Sequence, residues 1–343
     1  MSNGNLVISL DFELMWGVRD IRTLEKYGPN IRGVHQAVPR LLSLFEQYKI
    51  RATFACVGLL FFETKSELLH NLPDDLPAYS DKSLSPYLGY FDKLGGDATK
   101  DLHHFAPRLI EQILSYPAHE IGTHTFSHYY CLEEGQNIDS FRDDIKAAKK
   151  IAKKYKVELT SLVFPRNQFN EEYLRVCREH GIICIRGNET SWLYKARTEK
   201  KESLLRRAFR LADAYVNLTG HNCYDDDFLK KDIPVNIPAS RFLRPFSKKL
   251  KMLETLRLRR ITSGMTHAAK NGLTYHLWWH PHNFGVDQEE NFLFLEKVLD
   301  CYSHLYSVYN FQSYTMSELA ETFLKSNNKN EYRTNKELSN KAT

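Results

Sequence analysis

The chain has 343 residues, of which 42% are hydrophobic, so it is long and apolar enough to bury a large core, and a disordered chain is excluded. Its formal charge of +5 comes from 47 basic and 42 acidic residues. This balance argues against a nucleic-acid-binding protein, and we expect no nucleic-acid partner.

The cysteines and the first residues bear on the cellular compartment. Six scattered cysteines without a CxxC pair are typical of reduced thiols and make a cysteine metal site unlikely to form. The start "MSNGNLVISLDF" lacks the features of a secretory signal, and no stretch reaches the roughly 18 to 20 apolar residues of a membrane span. We therefore expect a cytoplasmic protein.

Apolar runs typical of buried strands alternate along the chain with amphipathic stretches typical of helices. Strands are predicted at 5–11, 51–58, 119–124, 161–164, 181–186 and 273–280. Helices are predicted at 38–50, 138–155, 170–180, from about 288, and after a capping box formed by Thr315 and Glu318. This alternation favours an α/β fold with a parallel sheet or barrel.

The remaining segments predict how the chain is divided. Residues 1–325 are predicted to form one domain, with insertions at about 71–104 and 187–260. The first insertion is rich in Pro, Gly, Asp and Ser and is expected to shape a cleft. Residues 326–343 are polar and are expected to form a frayed tail.

The stretch "ISLDFELMWG" (8–17) places two acids, Asp11 and Glu13, in an apolar run. In a strand both side chains point to one face, where they repel each other. Buried carboxylates require compensating hydrogen bonds or a cation. A divalent cation bound beside them would hold both of them ionised, with one acid as ligand and the other free to accept a proton.

The stretch "HEIGTHTFSH" (119–128) contains His124 and His128, four residues apart and directly after a predicted strand. If one helical turn follows the strand, both imidazoles lie on one face and can reach a single ion. An HxxxH pair alone is more often two ordinary histidines. Its position at a strand end, together with the acids of the opening stretch, favours a metal site.

The chain resembles the polysaccharide deacetylase family, also called the NodB-homology or carbohydrate esterase family 4. "HEIGTHTFSH" is similar to the family's second motif, and "ATFACVG" (52–58) resembles the strand before it. The resemblance covers about residues 5–325 and implies an irregular seven-stranded (β/α) barrel. The first motif departs from the family's adjacent aspartates, since Phe12 separates Asp11 from Glu13, as in a variant branch with a D-x-E pattern.

The resemblance also implies roles for several residues. Asp11 would be the catalytic base, and Glu13 would bind the metal together with His124 and His128. In "FPRNQ" (164–168), Arg166 would orient the base. From the residues alone, the roles of Asp11 and Glu13 could be exchanged.

A histidine from "HLWWHPHNFG" (276–285) would act as general acid. His280 is preferred because it ends the strand, while His276 lies deeper and His282 is the main competitor. The acid that tunes this histidine could be Asp213 or Glu189.

Trp16, Trp279 and His282 are predicted to bind substrate, although tryptophans in strands are more often core residues.

These roles predict an enzyme that hydrolyses an N-acyl group, most simply N-acetyl, on a polysaccharide or a cytoplasmic glycan precursor. Zinc is the expected cofactor, with cobalt or nickel possible for the same ligands. The alternatives are a deformylase or amidase acting on a lipid-linked amino sugar, and an inactive carbohydrate-binding relative. Residues 241–260 carry eight basic residues and one acid, which suggests either peripheral membrane contact or a solvated basic helix face. The oligomeric state is not predicted.

Overall fold

The computed structural model describes residues 3–194, 204–229 and 233–325, and within these ranges nine strands form one sheet. The strands are β1 (Asn5–Phe12), β2 (Ala52–Cys56), β3 (Glu120–Thr123), β4 (Ser161–Val163), β5 (Cys184–Arg186), β6 (Val235–Asn236), β7 (Arg241–Phe242), β8 (Thr274–Trp279) and β9 (Gln312–Tyr314). Their order is β6-β5-β4-β3-β2-β1-β8-β7, with β9 beside β1. Every strand pair is parallel.

Strand β1 lies at the centre of the sheet and is buried over its whole length. Its first part, Asn5–Val7, pairs with β9, and its second part, Ile8–Phe12, pairs with β2. Strand β8 runs along its other edge. Because β1 has neighbours on both sides from Asn5 to Leu10, its carboxyl end opens into the middle of the fold.

The sheet curls, and residues 237–240 bring its two edges together. The Ala239 N–H donates to the Gly187 carbonyl beyond β5 (2.9 Å), and the Ser240 N–H donates to the His276 carbonyl of β8 (2.8 Å). The predicted irregular α/β barrel is thus confirmed. It has nine strands instead of the expected seven, two of which, β6 and β7, contain only two residues each.

Helices surround this sheet. They are α1 (Leu24–Gln47), α2 (Lys65–Leu69), α3 (Pro107–Leu114), α4 (Ile138–Lys154), α5 (Glu171–Glu179), α6 (Leu204–Asp213), α7 (Asp226–Leu229), α8 (Glu254–Asn271) and α9 (Gln288–Tyr309). A further helical segment at 316–325 begins with the predicted capping box. There the Thr315 N–H donates to Glu318 Oε2 (3.0 Å) and the Glu318 N–H donates to Thr315 Oγ1 (3.2 Å).

Helix α1 differs from the prediction, because it begins at Leu24 and contains both Pro29 and Pro39. Each proline removes one backbone hydrogen bond from a helix interior. Residues Ile31, Val34, Val38, Leu41 and Phe45 are fully buried at intervals of three and four. Burial of this apolar stripe therefore outweighs the proline penalty.

The two predicted insertions differ in structure. Residues 71–104 contain only short 3-10 turns, Lys82–Leu84 and Phe91–Lys93. The described part of 187–260 contains α6, α7, β6, β7 and the start of α8. The predicted tail, 326–343, lies outside the described residues. In the parts of the chain that the structure describes, no helix is both long and apolar enough to span a bilayer.

Candidate active site

The opening stretch changes conformation between its two acids. Asp11 lies in β1, opposite Ala55 of β2. Glu13 follows the strand and is succeeded by a 3-10 turn, Leu14–Gly17. Gly17 is required here, because a Cβ atom at this position would lie 1.9 Å from the Glu13 Cδ. The turn thus closes tightly around the Glu13 carboxylate.

The predicted helical turn at His124 and His128 is wrong, because the chain after β3 forms an irregular loop. Thr125 and His128 have left-handed backbones, with φ of 64° and 61°. The Asp144 carboxylate of α4 holds this loop by accepting from the Phe126 and Ser127 N–H groups (2.6 and 3.1 Å). Two left-handed residues, and not helical periodicity, turn both imidazoles to the same side.

Glu13 and the two histidines form one buried cluster. Glu13 Oε2 lies 3.3 Å from His124 Nε2 and 3.2 Å from His128 Nε2. The three residues are at most 3% exposed. The His124 Nδ1 donates to the Val163 carbonyl (2.8 Å), so in the neutral ring Nε2 carries a lone pair facing the carboxylate. Two acceptors this close require a cation or a proton between them.

The electrostatics of the cluster favour ionised Glu13 and neutral His128. Burial alone would raise the pKa of Glu13, but the charge of His280 and hydrogen bonds from His124 and His128 bring it well below its usual value. Burial lowers the pKa of His128 to about 4, although its contacts with Glu13 oppose this. At neutral pH the cluster therefore contains an ionised Glu13 carboxylate and a neutral His128, the protonation states in which these groups bind zinc.

The spacing of the cluster fits a metal ion. Ligand atoms about 2.0 to 2.2 Å from a tetrahedral zinc ion lie roughly 3.3 to 3.5 Å from one another, close to the separations between Glu13 and the histidines. One ligand atom from each of the three residues lies within 4.8 Å of the others. Three protein ligands are typical of catalytic zinc sites with a position open to solvent or substrate.

Asp11 is held by an arginine that was not among the predicted site residues. Arg186, at the end of β5, donates from Nη1 and Nη2 to the two Asp11 oxygens (2.7 and 2.8 Å). Burial alone would raise the pKa of Asp11, but the charges of Arg186 and His124, the Arg186 hydrogen bonds and the charge of His280 bring it below its usual value. Asp11 is thus an ionised carboxylate fixed in one orientation.

A buried chain of hydrogen bonds supports Arg186 from behind. Arg186 Nη1 also donates to Ser9 Oγ (3.0 Å), which lies 2.8 Å from His276 Nε2. The His276 Nδ1 donates to the Ile237 carbonyl (2.9 Å), so its Nε2 accepts from Ser9. His276, the deeper of the candidate acids, is fully buried and orients Ser9.

His280 and His282 cover the two acids from β8. His280 Nε2 lies 3.8 Å from Asp11 Oδ2 and 3.7 Å from Glu13 Oε1, and its side chain is 23% exposed. His282 stacks on His280 and is buried, with its Nδ1 3.8 Å from Glu13 Oε1. Burial and the charge of His280 lower the pKa of His282 to about 3. His280 is therefore the more accessible of the two.

A cavity of about 320 Å³ lies over this centre, at the carboxyl ends of the strands. Its lining includes both acids, the two metal-site histidines, His280 and His282, with Phe242, Trp278 and Ile21 as apolar wall.

Part of the chain matches a known protein family by sequence. Residues 27–185, which include both histidines of the metal cluster, match the family model described as polysaccharide deacetylase. Over this segment, which is less than half of its length, the chain is similar to the polysaccharide deacetylase family. No curated protein matches the chain by sequence.

Two solved structures share its fold. A structure assigned as a polysaccharide deacetylase from Mycobacterium smegmatis superposes with a TM-score of 0.57 at 13% identity, covering 95% of this chain and 92% of that chain. A structure assigned as a polysaccharide deacetylase from Pseudomonas aeruginosa PAO1 superposes with a TM-score of 0.53 at 10% identity. The superposition covers 93% of this chain and 89% of that chain. At these identities, the likenesses show that the chain shares the fold of both structures.

The contact with Asp11 that was expected of Arg166 is made by Arg186. Arg166 pairs instead with Asp20, and also with Glu133 at 3.7 Å. The "FPRNQ" segment still reaches the site through Asn167, whose Oδ1 accepts from Arg186 (3.3 Å). A signal for Arg186 was present in "GIICIR", where a charged residue ends an apolar strand as Asp11 does.

The prediction that Trp16 and Trp279 bind substrate is wrong, because both are fully buried. Trp16 donates from Nε1 to the His104 carbonyl (2.7 Å), and Trp279 packs on Phe284. Successive residues of a strand face opposite sides of the sheet. Trp278 therefore faces the cavity, where its ring lies 4.1 Å from the Arg186 guanidinium.

Neither candidate for tuning His280 contacts it. Asp213 pairs with Arg241 (2.5 Å) and Arg260 (3.4 Å). Burial raises the pKa of Glu189 to about 7, against the charges of Arg241 and Arg186. Within the described residues, the carboxylates within 4 Å of His280 are those of Asp11 and Glu13.

The Arg186–Asp11 pair predicts a large effect on stability. Arg186→Met leaves a buried carboxylate without its partner and is expected to lower the free energy of unfolding by about 3 to 5 kcal/mol. Adding Asp11→Asn should restore part of this loss, which urea unfolding of both single variants and the double variant measures. Arg175→Met, which removes an exposed arginine, is the control. The prediction would be contradicted if Arg186→Met lowered the free energy of unfolding by no more than Arg175→Met does.

Proposed function

We propose that this chain is a metal-dependent hydrolase that removes an N-acyl group, most simply N-acetyl, from a carbohydrate. The observation that carries the proposal is the cluster of Glu13, His124 and His128 beside an ionised, arginine-held Asp11. The match of residues 27–185 to the polysaccharide deacetylase family model supports the same chemistry.

Glu13, His124 and His128 would hold the metal ion. Zinc suits two imidazoles and one carboxylate, and cobalt or nickel would accept the same donors. When bound, such an ion acts as a Lewis acid that polarises the acyl carbonyl and lowers the pKa of water.

Asp11 would remove the proton from the attacking water. Its carboxylate is ionised, fixed by Arg186 and exposed to the cavity. Arg186 also keeps the carboxylate from rotating away, which maintains one oxygen toward the reacting atoms. A base positioned in this way contributes about a hundred- to ten-thousand-fold to the rate.

His280 would donate a proton to the departing amine. Its Nε2 is similarly distant from Asp11 and Glu13, so it lies over the point at which the acyl bond would break. Its partial exposure lets it exchange protons with solvent, whereas His282 is enclosed beneath it.

The cavity favours a small portion of a glycan. A volume of about 320 Å³ is at the lower end of the roughly 300 to 1,000 Å³ typical of ligand pockets. Trp278 and Phe242 offer an aromatic wall against which a sugar ring can pack. A single acylated amino sugar of a glycan precursor in the cytoplasm is therefore our proposed substrate.

Release of the acyl group tests the proposal. Purified protein loaded with zinc is expected to liberate acetate from N-acetylated amino sugars, and Asp11→Asn, assayed at equal metal content, should liberate far less. Formate released from N-formyl sugars would instead favour the deformylase alternative. If the protein binds a stoichiometric metal ion but releases neither acetate nor formate, hydrolysis is contradicted. If it neither retains metal nor releases either acid, the result favours an inactive carbohydrate-binding protein.

A further inference from the structure

Helix α6 presents its apolar side to solvent. Leu205 and Phe209 are 71% and 46% exposed, and Val216 just beyond the helix is 55% exposed. Helix α6 ends at Asp213, and the Val216 N–H donates to the Ala212 carbonyl (2.9 Å), which holds Val216 at the end of the helix. Leu205 and Phe209, four residues apart, lie along one side of the helix.

Three charged residues of α6, Arg206, Arg210 and Asp213, are turned toward the protein, while Arg207 is exposed. Arg206 is 6% exposed and donates to the Trp192 carbonyl (2.7 Å), while Arg210 donates to the Leu193 carbonyl (3.0 Å). Asp213 is fully buried in its pairs with arginines. A surface helix of a soluble protein normally has the reverse arrangement. The exposed stripe is therefore suited to an apolar surrounding.

A second protrusion carries cations around an apolar tip. The 3-10 helix Lys248–Leu253 has no buried residue. Met252 is 85% exposed, and the exposed lysines Lys248, Lys249 and Lys251 precede it. Lysines of this kind keep their charge at a headgroup region while their stems and neighbours contact acyl chains.

The two features are joined through α8. Arg260 donates to the Asp213 and Gly220 carbonyls (3.1 and 2.6 Å), which ties α8 to the end of α6. We define the docking face as the following residues of these elements: Leu205, Phe209, Val216, Lys248, Lys249, Lys251, Met252 and Leu256.

We propose that the docking face binds the surface of an anionic lipid bilayer. Its apolar side chains would enter the interface, and its lysines would contact the lipid phosphates. A second copy of this chain fits less well, because a two-fold interface would place the same lysines against each other. Charge complementarity thus selects the lipid surface.

Docking would bring the active-site cavity close to the bilayer. Arg241, which holds Asp213 at the end of α6, precedes Phe242 in the cavity wall. Ile21, another residue of that wall, is 52% exposed. The inference extends the proposed function to substrates whose amino sugar is attached to a lipid.

Vesicle co-sedimentation of the full chain tests the docking face. We expect binding to vesicles of phosphatidylglycerol and phosphatidylcholine, little binding to phosphatidylcholine alone, and weakening as salt screens the lysines. Leu205→Asp with Phe209→Asp, and separately Lys249→Gln with Lys251→Gln, should each weaken binding by about tenfold or more. Val308→Asp, at a 55% exposed site on α9, is the matched control.

Binding does not require the proposed chemistry, so Asp11→Asn should sediment with the vesicles like the parent chain. The proposal is overturned if anionic vesicles do not bind, if neutral vesicles bind equally well, or if Val308→Asp weakens binding as much as the docking-face variants. It is also overturned if the chain is a dimer that Leu205→Asp with Phe209→Asp separates into monomers without affecting vesicle binding.

Discussion

Replacing His124 with alanine, or His128 with glycine, is expected to abolish metal binding and hydrolysis. Each change removes one of three protein ligands, and even the hydrogen-bond partners of ligands are worth about 10- to 100-fold in affinity. We therefore expect affinity to fall by more than about a hundredfold. Glycine is chosen at His128 because its φ of 61° would strain alanine.

The measurement is metal content after dialysis against low micromolar zinc, together with circular dichroism to establish that the fold persists. His180→Ala is the matched control, since this histidine follows α5 and is not part of the cavity lining. A full complement of metal in either variant would remove the substituted histidine from the metal site, and metal loss in His180→Ala would show that the effect is not specific.

Strands β1 to β5 and β8, and helices α4, α5 and α9, follow from hydrophobic periodicity. The predicted strand at 5–11 is found at Asn5–Phe12, and the predicted helix at 138–155 is Ile138–Lys154. Local pattern is sufficient here because each element buries one continuous apolar run or stripe. The pattern fails at α1, where local proline signals and long-range burial disagree and burial prevails.

The site could be predicted only where its residues occur close together in the sequence. The pairs Asp11 with Glu13 and His124 with His128 were visible as motifs, but the loop that orients the histidines depends on Asp144, far along the chain. Such side-chain to backbone contacts have no local periodicity.

The contact between Arg186 and Asp11 could not be predicted from local pattern either. It joins β5 to β1, 175 residues apart. A buried charged residue at a strand end requires an oppositely charged or hydrogen-bonding partner. Which residue is that partner depends on the order of the strands in the sheet. The identity of the supporting arginine therefore required the three-dimensional structure.

Neutralising Asp11 and neutralising Glu13 should have different effects on metal binding and turnover. Asp11→Asn keeps the shape of the side chain and still accepts from Arg186, but removes the base. Metal should remain bound while turnover falls by about a hundred- to ten-thousand-fold. Glu13→Gln replaces the anionic group between two imidazoles with a neutral amide, so metal should be lost first and excess ion should restore part of the activity.

The position of each carboxylate gives this asymmetry its physical basis. Both Asp11 oxygens are engaged by one guanidinium, whereas Glu13 Oε2 faces both imidazole nitrogens at little more than 3 Å. Metal content and turnover of the two variants, measured after the same dialysis, separate the roles. Metal loss in Asp11→Asn with full occupancy in Glu13→Gln would reverse the assignment, because the acid whose neutralisation releases the ion is the ligand.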